Sequence, residues 1–322
     1  MTPTLTTLEI VPPAALENIV PMPVAVAAVR DAFISLARGE FSSPLRTSFD
    51  CGRTLVMPVF HSPTGSSTTK SVILRPGQRP AIRGVVTWIS EDLELVLDAH
   101  AVTTLRTGAV VGVATEMLAR PDAHRLVLIG AGTLAFDQIR AVAAVRDLEH
   151  VVIVSRSLTS ADALGDRVRS AFPELTVVTG LDPAPHLGSA DIVCCATSST
   201  RPVFDPADLP EVVHINAIGA YTLNMRELPS GAFAGADVVV DDLEAARSEA
   251  GDLMDAIADG VLSLGSVTEL SPRLNANEKV RRGRTVFKSV GLGIQDWAIC
   301  DAVASQLAAS GERDFRQSEA RA

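Results

Sequence analysis

A short apolar strand runs directly into a glycine-rich turn in the middle of this chain. Residues 126–129 read Leu-Val-Leu-Ile, and the six residues after them are Gly130, Ala131, Gly132, Thr133, Leu134 and Ala135. In this G-x-G-x-x-A pattern the first glycine permits a tight turn and the second lets a pyrophosphate approach the backbone. The N–H groups of the helix that follows then face the phosphates. The turn predicts a Rossmann domain that binds a dinucleotide.

Strands and helices alternate after this turn. Apolar runs at 151–154, 175–178, 191–196, 212–218, 237–240 and 286–290 are separated by helical stretches, and one of these covers 252–264. Such alternation is typical of a parallel sheet with helices on its faces. A hydrophobic content of 47% with only 4% aromatic residues suits buried aliphatic strands. We therefore predict the α/β class, with a doubly wound Rossmann sheet.

The chain before this turn follows a different pattern. Apolar residues recur at helical spacing over 23–38, and Gly39 supplies a stop. Four β-rich runs at 53–60, 67–74, 84–89 and 93–97 predict an antiparallel meander. Thr103 or Thr104 could cap a long helix that ends near Leu118. A last amphipathic helix covers 295–307, with Asp296 interpreted as its cap. These elements predict a second, smaller α+β domain.

The end of the second Rossmann strand bears on the choice of cofactor. Proteins that bind NAD usually carry an acid there, which accepts a hydrogen bond from the ribose 2′-hydroxyl. Here the residues are Ser155, Arg156 and Ser157, and no acid occurs before Asp162. An arginine flanked by hydroxyls can hold a 2′-phosphate through charge-assisted bonds. The sequence therefore favours NADP, with NAD as the alternative.

Charge and cysteine content exclude several classes of partner. The chain has 322 residues and a formal net charge of −10, and an acidic surface repels nucleic acid and anionic membranes. Neither the four cysteines nor the six histidines show metal-ligand spacing. The sequence shows no signal peptide and no membrane-spanning run. We expect a cytoplasmic protein without a metal, a nucleic-acid partner or a membrane contact.

Stretches distributed along the whole chain resemble the ornithine cyclodeaminase/mu-crystallin family. They are residues 103–109, 130–135, 190–193, 196–198, 214–220, 226–228 and 287–291. The Leu-Arg-Thr-Gly-Ala, Ile-Asn-Ala-Ile-Gly and Phe-Lys-Ser-Val-Gly segments are fairly specific in combination. Activities in this family include cyclodeamination of ornithine, reduction of cyclic ketimines and alanine dehydrogenation, and one branch binds a thyroid hormone.

The resemblance implies a homodimer of two-domain subunits. Residues 1–120 with 297–322 would form the substrate-binding and dimerisation domain, and residues 121–296 the Rossmann domain. Arg46, Lys70 and Arg106 match the positions that hold the substrate carboxylate in relatives, a task that suits the planar guanidinium group. The implied cofactor contacts are Gly130, Gly132, Thr133, Leu134, Ser155, Arg156, Ser157, Ala196, Thr197, Ser198, Ile218, Gly219, Ser289, Val290 and Gly291.

One position departs from the cyclodeaminases that the chain resembles. Those enzymes carry an aspartate just after the Ile-Asn-Ala-Ile-Gly strand, where this chain has Tyr221, its only tyrosine. With an unperturbed pKa of about 10, a tyrosine is no substitute for a carboxylate base near neutral pH. It can instead stack on a ring and donate a hydrogen bond, or it can simply pack.

We therefore expect NAD(P)H-dependent reduction of a small cyclic 2-imino acid, Δ1-pyrroline-2-carboxylate or Δ1-piperideine-2-carboxylate, to the amino acid. Lys70, Tyr221 or water would protonate the imine nitrogen. Two alternatives stay open. One is an ornithine cyclodeaminase or a related amino-acid dehydrogenase, and the other is a non-catalytic small-ligand binder that retains NADP.

Overall fold

A computed structural model describes residues 7–75, 78, 80–278 and 283–310. The chain divides into two units, Met1–Arg106 with Leu292–Ala322 and Thr107–Gly291. The division expected from the resemblance, with boundaries at 120/121 and 296/297, stays a prediction. Residues 1–6 and 311–322 of its first domain lie outside the described part of the chain.

The described residues form the following helices and strands, in chain order. Up to residue 118 they are β1 (Thr7–Val11), α1 (Pro13–Ile19), α2 (Met22–Ala37), β2 (Phe41–Ser42), β3 (Thr47–Phe49), β4 (Thr54–His61), β5 (Ser66–Leu74), β6 (Ile82–Ile89), β7 (Leu93–Asp98) and α3 (Ala99–Leu118). From residue 125 they are β8 (Arg125–Ile129), α4 (Ala135–Ala143), β9 (His150–Val154), α5 (Leu158–Ala171), β10 (Thr176–Gly180), α6 (Ala184–Leu187), β11 (Ile192–Cys195), β12 (His214–Ala217), β13 (Asp237–Val240), α7 (Leu243–Glu249), α8 (Gly251–Ala258), β14 (Thr268–Glu269), α9 (Leu270–Asn275), β15 (Thr285–Lys288) and α10 (Gly293–Ser310).

The first unit is built on one sheet with the strand order β1-β7-β6-β5-β4-β2, to which β3 is added beside β4. Strands β4 to β7 are antiparallel, and the register aligns Met57 with Lys70 and Lys70 with Val86. This confirms the predicted meander. Strand β1, which the sequence analysis left unassigned, pairs in parallel with β7. Helix α10 packs against α2 and against β5, so the last described helix covers the inner face of this sheet.

Three helix boundaries differ from the prediction. Helix α3 begins at Ala99, because Asp98 Oδ1 accepts a hydrogen bond from the Ala101 N–H at 2.8 Å. The interpretation of Thr103 or Thr104 as its cap is therefore wrong. The helix predicted over 252–264 ends at Ala258, where Gly260 with φ 71° stops it. Helix α10 begins at Gly293 and places Asp296 within its first turn, so Asp296 is not its cap.

No single helix in the described part of the chain is long and apolar enough to cross a membrane. Helices α1 and α2 meet those criteria only as a pair, and the pair is bent by 80° at its junction. In the structure Val26, Val29 and Phe33 of α2 are buried in the first unit.

The second unit contains a parallel sheet with the strand order β10-β9-β8-β11-β12-β15-β13-β14. Strands β9 and β10 continue from β8 in one direction, and β11 and β12 continue from it in the other. The order therefore reverses between β8 and β11, and ligands of doubly wound folds bind at the carboxyl ends of strands at such a switch point. The strands are buried aliphatic runs, with Leu128, Ile153 and Ile192 fully covered. The predicted doubly wound α/β class is confirmed.

Candidate functional site

The two glycines of the turn after β8 have different surroundings. Gly130 has a φ angle of 113°. A Cβ added at Gly130 would lie 2.8 Å from the carbonyl carbon of Ala196, which is a collision. Only glycine fits between the end of β8 and the loop after β11. A Cβ on Gly132 would meet no atom within 4 Å. The backbone at Gly132 is therefore open to an approaching group, as the fingerprint requires.

A cavity of about 470 Å³ lies at this switch point. The predicted cofactor residues that line it are Gly130, Gly132, Ser155, Arg156, Ser157, Ala196, Thr197 and Ser198. Of the described residues that line it, Arg156 alone carries a charge, and its side chain is exposed. Ser157 caps α5 by accepting a hydrogen bond from the Ser160 N–H at 3.2 Å. The cavity combines glycine backbone, hydroxyl groups and one guanidinium, which are groups that bind phosphate.

The other predicted cofactor residues lie outside the lining of this cavity. Thr133 and Leu134 complete the turn, and Leu134 is the residue before α4. Ile218 and Gly219 follow β12, and Ser289, Val290 and Gly291 follow β15. All of them lie at carboxyl ends of strands or in the turn itself, and their contact with a cofactor stays a prediction.

A buried carboxylate, Glu227, joins the loops after β11 and β12. Its Oε1 accepts a hydrogen bond from the Thr197 N–H at 2.6 Å, and its Oε2 accepts from Gly219 at 2.6 Å and Ala220 at 3.0 Å. Burial raises the pKa of Glu227, and the positive charge of Lys288 and the bond from Thr197 oppose that shift. The amides of Thr197 and Gly219 are thus already bound, so a cofactor could contact these residues only through other atoms.

A second buried acid holds the loop after β15. Asp241 Oδ2 accepts hydrogen bonds from the Ser289 hydroxyl at 2.7 Å, from the Val290 N–H at 3.0 Å and from the Gly291 N–H at 2.7 Å. Burial raises the pKa of Asp241, and these bonds oppose that rise. Glu227 and Asp241 were not predicted as functional residues, because nothing in the sequence around them marks main-chain amides of other loops as their partners.

Two of the three predicted carboxylate-binding residues, Lys70 and Arg106, meet at one buried acid. Lys70 Nζ lies 2.7 Å from Asp296 Oδ2, and Arg106 Nε lies 3.4 Å from Asp296 Oδ1. Arg106 Nη1 also donates to Gln295 Oε1 at 2.6 Å. Lys70 is 3% exposed, Arg106 7% and Asp296 1%. Lys70 and Arg106 are therefore brought together as predicted, and Asp296 is their counterion.

Lys70 has an unusual protonation equilibrium. Burial lowers its pKa to about 8, and the positive charges of Arg106 and Arg46 act in the same direction, while Asp296 raises it. Arg46 is half-buried between β2 and β3 and is close enough for its charge to act on Lys70. A lysine of this kind can release a proton near neutral pH, and its surroundings attract an anion.

Tyr221 directly follows the bridge formed by Glu227. The Ala220 N–H donates to Glu227, and the Ala220 carbonyl accepts from Lys288 Nζ at 2.7 Å. Lys288 is fully buried and lies 3.3 Å from Asp252. The backbone before Tyr221 is thus fixed on both sides, and the half-buried tyrosine lies within the loop after β12.

Comparison with known proteins assigns the family. The sequence profile of the ornithine cyclodeaminase/mu-crystallin family matches residues 14–311. The chain belongs to this family. Among characterised members, a Δ1-pyrroline-2-carboxylate reductase of Bacillus cereus is 35% identical over 287 residues, which span 82% of this chain and 87% of that protein. The resemblance found in the sequence is confirmed.

Solved structures of similar proteins agree with this assignment. The Δ1-pyrroline-2-carboxylate reductase of Thermococcus litoralis, solved with NADH and L-proline, superposes with a TM-score of 0.87 at 27% identity and covers 94% of this chain and 98% of its own. An archaeal alanine dehydrogenase dimer with bound NAD gives a TM-score of 0.83 at 27% identity, covering 95% of this chain and 97% of its own. Both are similar to this family member over nearly the whole fold.

Proposed function

We propose that this family member is an NAD(P)H-dependent reductase of small cyclic 2-imino acids, with Δ1-pyrroline-2-carboxylate or Δ1-piperideine-2-carboxylate as substrate. The observation that carries the proposal is the buried cluster of Lys70, Arg106 and Asp296, which offers an anion site and an acidic ammonium in one place. The similarity of the whole chain to Δ1-pyrroline-2-carboxylate reductases supports the choice of substrate.

The cofactor site is the cavity at the switch point. When bound there, a reduced nicotinamide dinucleotide supplies the hydride. The open backbone at Gly132 would leave room for its pyrophosphate, and the N-terminus of α4 would face the phosphates. The exposed Arg156, flanked by Ser155 and Ser157, would hold a 2′-phosphate, so NADP is the preferred form. The solved relatives contain NADH or NAD, which makes the preference a point for direct measurement.

The substrate carboxylate is held by cationic groups in the first unit. Arg106 and Arg46 supply guanidinium groups, and Lys70 supplies an ammonium beside them. Reduction of the C=N bond adds a hydride to carbon and a proton to nitrogen. We assign the proton to Lys70 because its lowered pKa makes it a stronger acid than an ordinary lysine, and water then reprotonates it. Tyr221 would present its ring and hydroxyl to the substrate.

The alternative of an ornithine cyclodeaminase requires a base to begin oxidation of an amine. Tyr221 occupies the position at which the cyclodeaminases carry an aspartate, and a neutral phenol is a poor proton acceptor. Reduction of a preformed imine needs no such base. The position of Tyr221 therefore favours the reductase.

A panel of initial-rate assays tests this proposal. NADPH and NADH are each offered with the two cyclic imines, and ornithine is offered with NAD and NADP. We expect imine-dependent oxidation of NADPH and little ammonia from ornithine. Ammonia release from ornithine without net cofactor turnover would indicate a cyclodeaminase, and binding of NADPH without turnover of any imine would indicate a non-catalytic binder.

We also propose a homodimer formed through the outer face of the first unit's sheet. Large apolar side chains are exposed there, among them Phe60 at 43%, Ile73 at 47%, Val85 at 46% and Ile89 at 46%. The strand register places them on one face, opposite the face covered by α10. An apolar face of this kind marks a protein contact, and the similar alanine dehydrogenase is a dimer.

Light scattering after gel filtration tests the dimer. The native chain should elute at twice its mass of 33.9 kDa, and Val85→Glu should shift it toward the monomer. Val178→Glu is the matched control, because Val178 is 43% exposed on β10 of the other unit. A Val85→Glu variant that remains dimeric would move the interface elsewhere.

The cytoplasmic location also remains a proposal. Cys194, Cys195 and Cys300 are free and buried. Free thiols are typical of a reducing compartment.

A further inference from the structure

The first turn of α10 is tied to the rest of the first unit by three consecutive side chains. Gln295 accepts a hydrogen bond from Arg106, Asp296 contacts both Lys70 and Arg106, and the Trp297 indole N–H donates to Ser66 Oγ at 2.9 Å. The two residues contacted by Asp296 come from different elements, β5 and α3. This turn is therefore the point at which the two cationic residues are fixed relative to each other.

Tight packing leaves the turn little freedom to move. A Cβ on Gly293 would lie 2.5 Å from Val59 Cγ2, so the helix begins in close contact with β4. The Trp297 ring lies 4.4 Å from the His61 ring and 4.9 Å from the Phe41 ring, measured between centroids. Ser66 and Lys70 are buried on the same face of β5, because alternate residues of a strand share a face. Trp297 and Asp296 thus hold one strand at two points.

The titratable groups around Lys70 belong to several elements. Asp296 and the thiol of Cys300 belong to α10, Arg106 belongs to α3, and Arg46 follows β2. Burial raises the pKa of the Cys300 thiol well above its usual value, so it is neutral. The positive charges of Arg106 and Arg46 disfavour the protonated form of Lys70, and so does burial. Among these groups, Asp296 is the one that favours the protonated form.

We propose that Asp296 is a positioning residue that fixes the Lys70 amine beside Arg106 and keeps it protonated at neutral pH. The role of Lys70 as proton donor rests on the reductase proposed above, whereas its dependence on Asp296 does not. Without the negative charge of Asp296, Lys70 is buried near the cations of Arg106 and Arg46. Its ammonium group then loses its proton at a lower pH than in the unsubstituted protein.

The lysine content of the chain allows this to be measured without catalysis. The sequence contains three lysines, at positions 70, 279 and 288. Labelling the ε-carbon of lysine gives three NMR signals, and the signal absent from Lys70→Met is that of Lys70. In Asp296→Asn the acid dissociation constant of Lys70 should rise at least tenfold over that of the unsubstituted protein.

Asp301→Asn is the matched control. Asp301 lies on the same helix, lines a groove with residues of α2, and has its own pKa raised to about 6 by burial. The Asp301→Asn substitution should leave the Lys70 titration unchanged. A folded Asp296→Asn variant with an unaltered Lys70 titration would overturn the proposal, as would an Asp301→Asn variant that shifts the titration equally.

The pH profile of imine reduction separates this proposal from the proposed function. In the unsubstituted protein kcat/KM should fall as the pH rises through about 8, because the acid form of Lys70 is lost. In Asp296→Asn this fall in kcat/KM should occur at a lower pH. The displacement should equal the change in the pKa of Lys70 measured by NMR. If the titration moves and the rate profile does not, Asp296 still controls Lys70, and Lys70 is not the proton donor.

A double-mutant cycle covers the case in which Asp296→Asn folds poorly. Asp296→Asn removes the shared counterion of two buried cations, Lys70 and Arg106, whereas the double variant removes it from Arg106 alone. The combined Lys70→Met and Asp296→Asn variant should therefore have a higher urea midpoint than Asp296→Asn alone. Equal or lower stability of the double variant would contradict the pairing.

Discussion

Glu227→Gln tests whether the loops that line the nucleotide cavity are held in place by one carboxylate. The substitution keeps the length of the side chain but converts one of its two oxygens to an amide group. Oε2 accepts hydrogen bonds from two main-chain N–H groups, and Oε1 accepts one. We expect glutamine to keep its oxygen toward Gly219 and Ala220, which puts its amide against the Thr197 N–H.

The size of the effect follows from these bonds. One charge-assisted hydrogen bond is lost, worth about 1.5–3 kcal/mol. The two that remain become neutral bonds, and a neutral bond has roughly half the strength of a charge-assisted one. The neutral side chain also avoids part of the desolvation that raises the pKa of Glu227. The bonds alone amount to about 3–6 kcal/mol, and the smaller desolvation cost offsets part of this, so we expect the free energy of unfolding to fall by ~2–3 kcal/mol.

Urea unfolding and NADPH fluorescence titration measure the two consequences. The Kd for NADPH should rise at least tenfold, because Thr197 and its neighbours line the cavity. Glu269→Gln is the control, since Glu269 accepts one main-chain N–H from Leu243 at 2.8 Å and does not line that cavity. If Glu227→Gln lost stability yet bound NADPH with unchanged affinity, the reasoning about loop positioning would be refuted.

Three further predictions concern the cofactor and the substrate. Arg156→Asp should weaken binding of NADPH far more than that of NADH, and equal losses in a binding titration would show that Arg156 does not contact a 2′-phosphate. Arg46→Ala and Arg106→Ala should each raise the KM for the imino acid roughly tenfold or more, because a charged hydrogen bond is lost. The affinity for NADPH should stay nearly unchanged. An unchanged KM in folded variants would show that these arginines do not bind the substrate. Ornithine with NAD or NADP should yield little ammonia or proline because of Tyr221, and efficient release of both would overturn that assignment. A Tyr221→Phe variant with normal imine reduction would limit the tyrosine to packing.

Strands of the second unit were predictable because buried parallel strands are short apolar runs. The run at 237–240 coincides with β13, and the run at 151–154 lies within β9. The start of α3 was not predictable in the same way, because β7 passes into α3 without a loop. Asp98 ends the strand and caps the helix at once, so no turn residue separates the two elements.

The site was predictable where residue type and local context carry the information. The glycine turn and Arg156 belong to patterns that occupy a few neighbouring positions. Asp241 and Asp296 have partners that are distant in the chain, at 289–291 for the former and at positions 70 and 106 for the latter. A single acid near the start of a helix has the sequence signature of a cap, and only the tertiary fold shows that Asp296 is a buried counterion.

Deuterium transfer from the cofactor tests the proposed reaction most directly. NADPH labelled with deuterium at nicotinamide C4, in each of its two stereochemical forms, is mixed with the enzyme and Δ1-pyrroline-2-carboxylate, and the proline formed is analysed by mass spectrometry. One labelled form should give proline with a single deuterium at Cα, with one NADPH consumed per proline. Proline without deuterium from both forms, or no amino acid from this imine or from Δ1-piperideine-2-carboxylate, would contradict hydride transfer to the imine carbon.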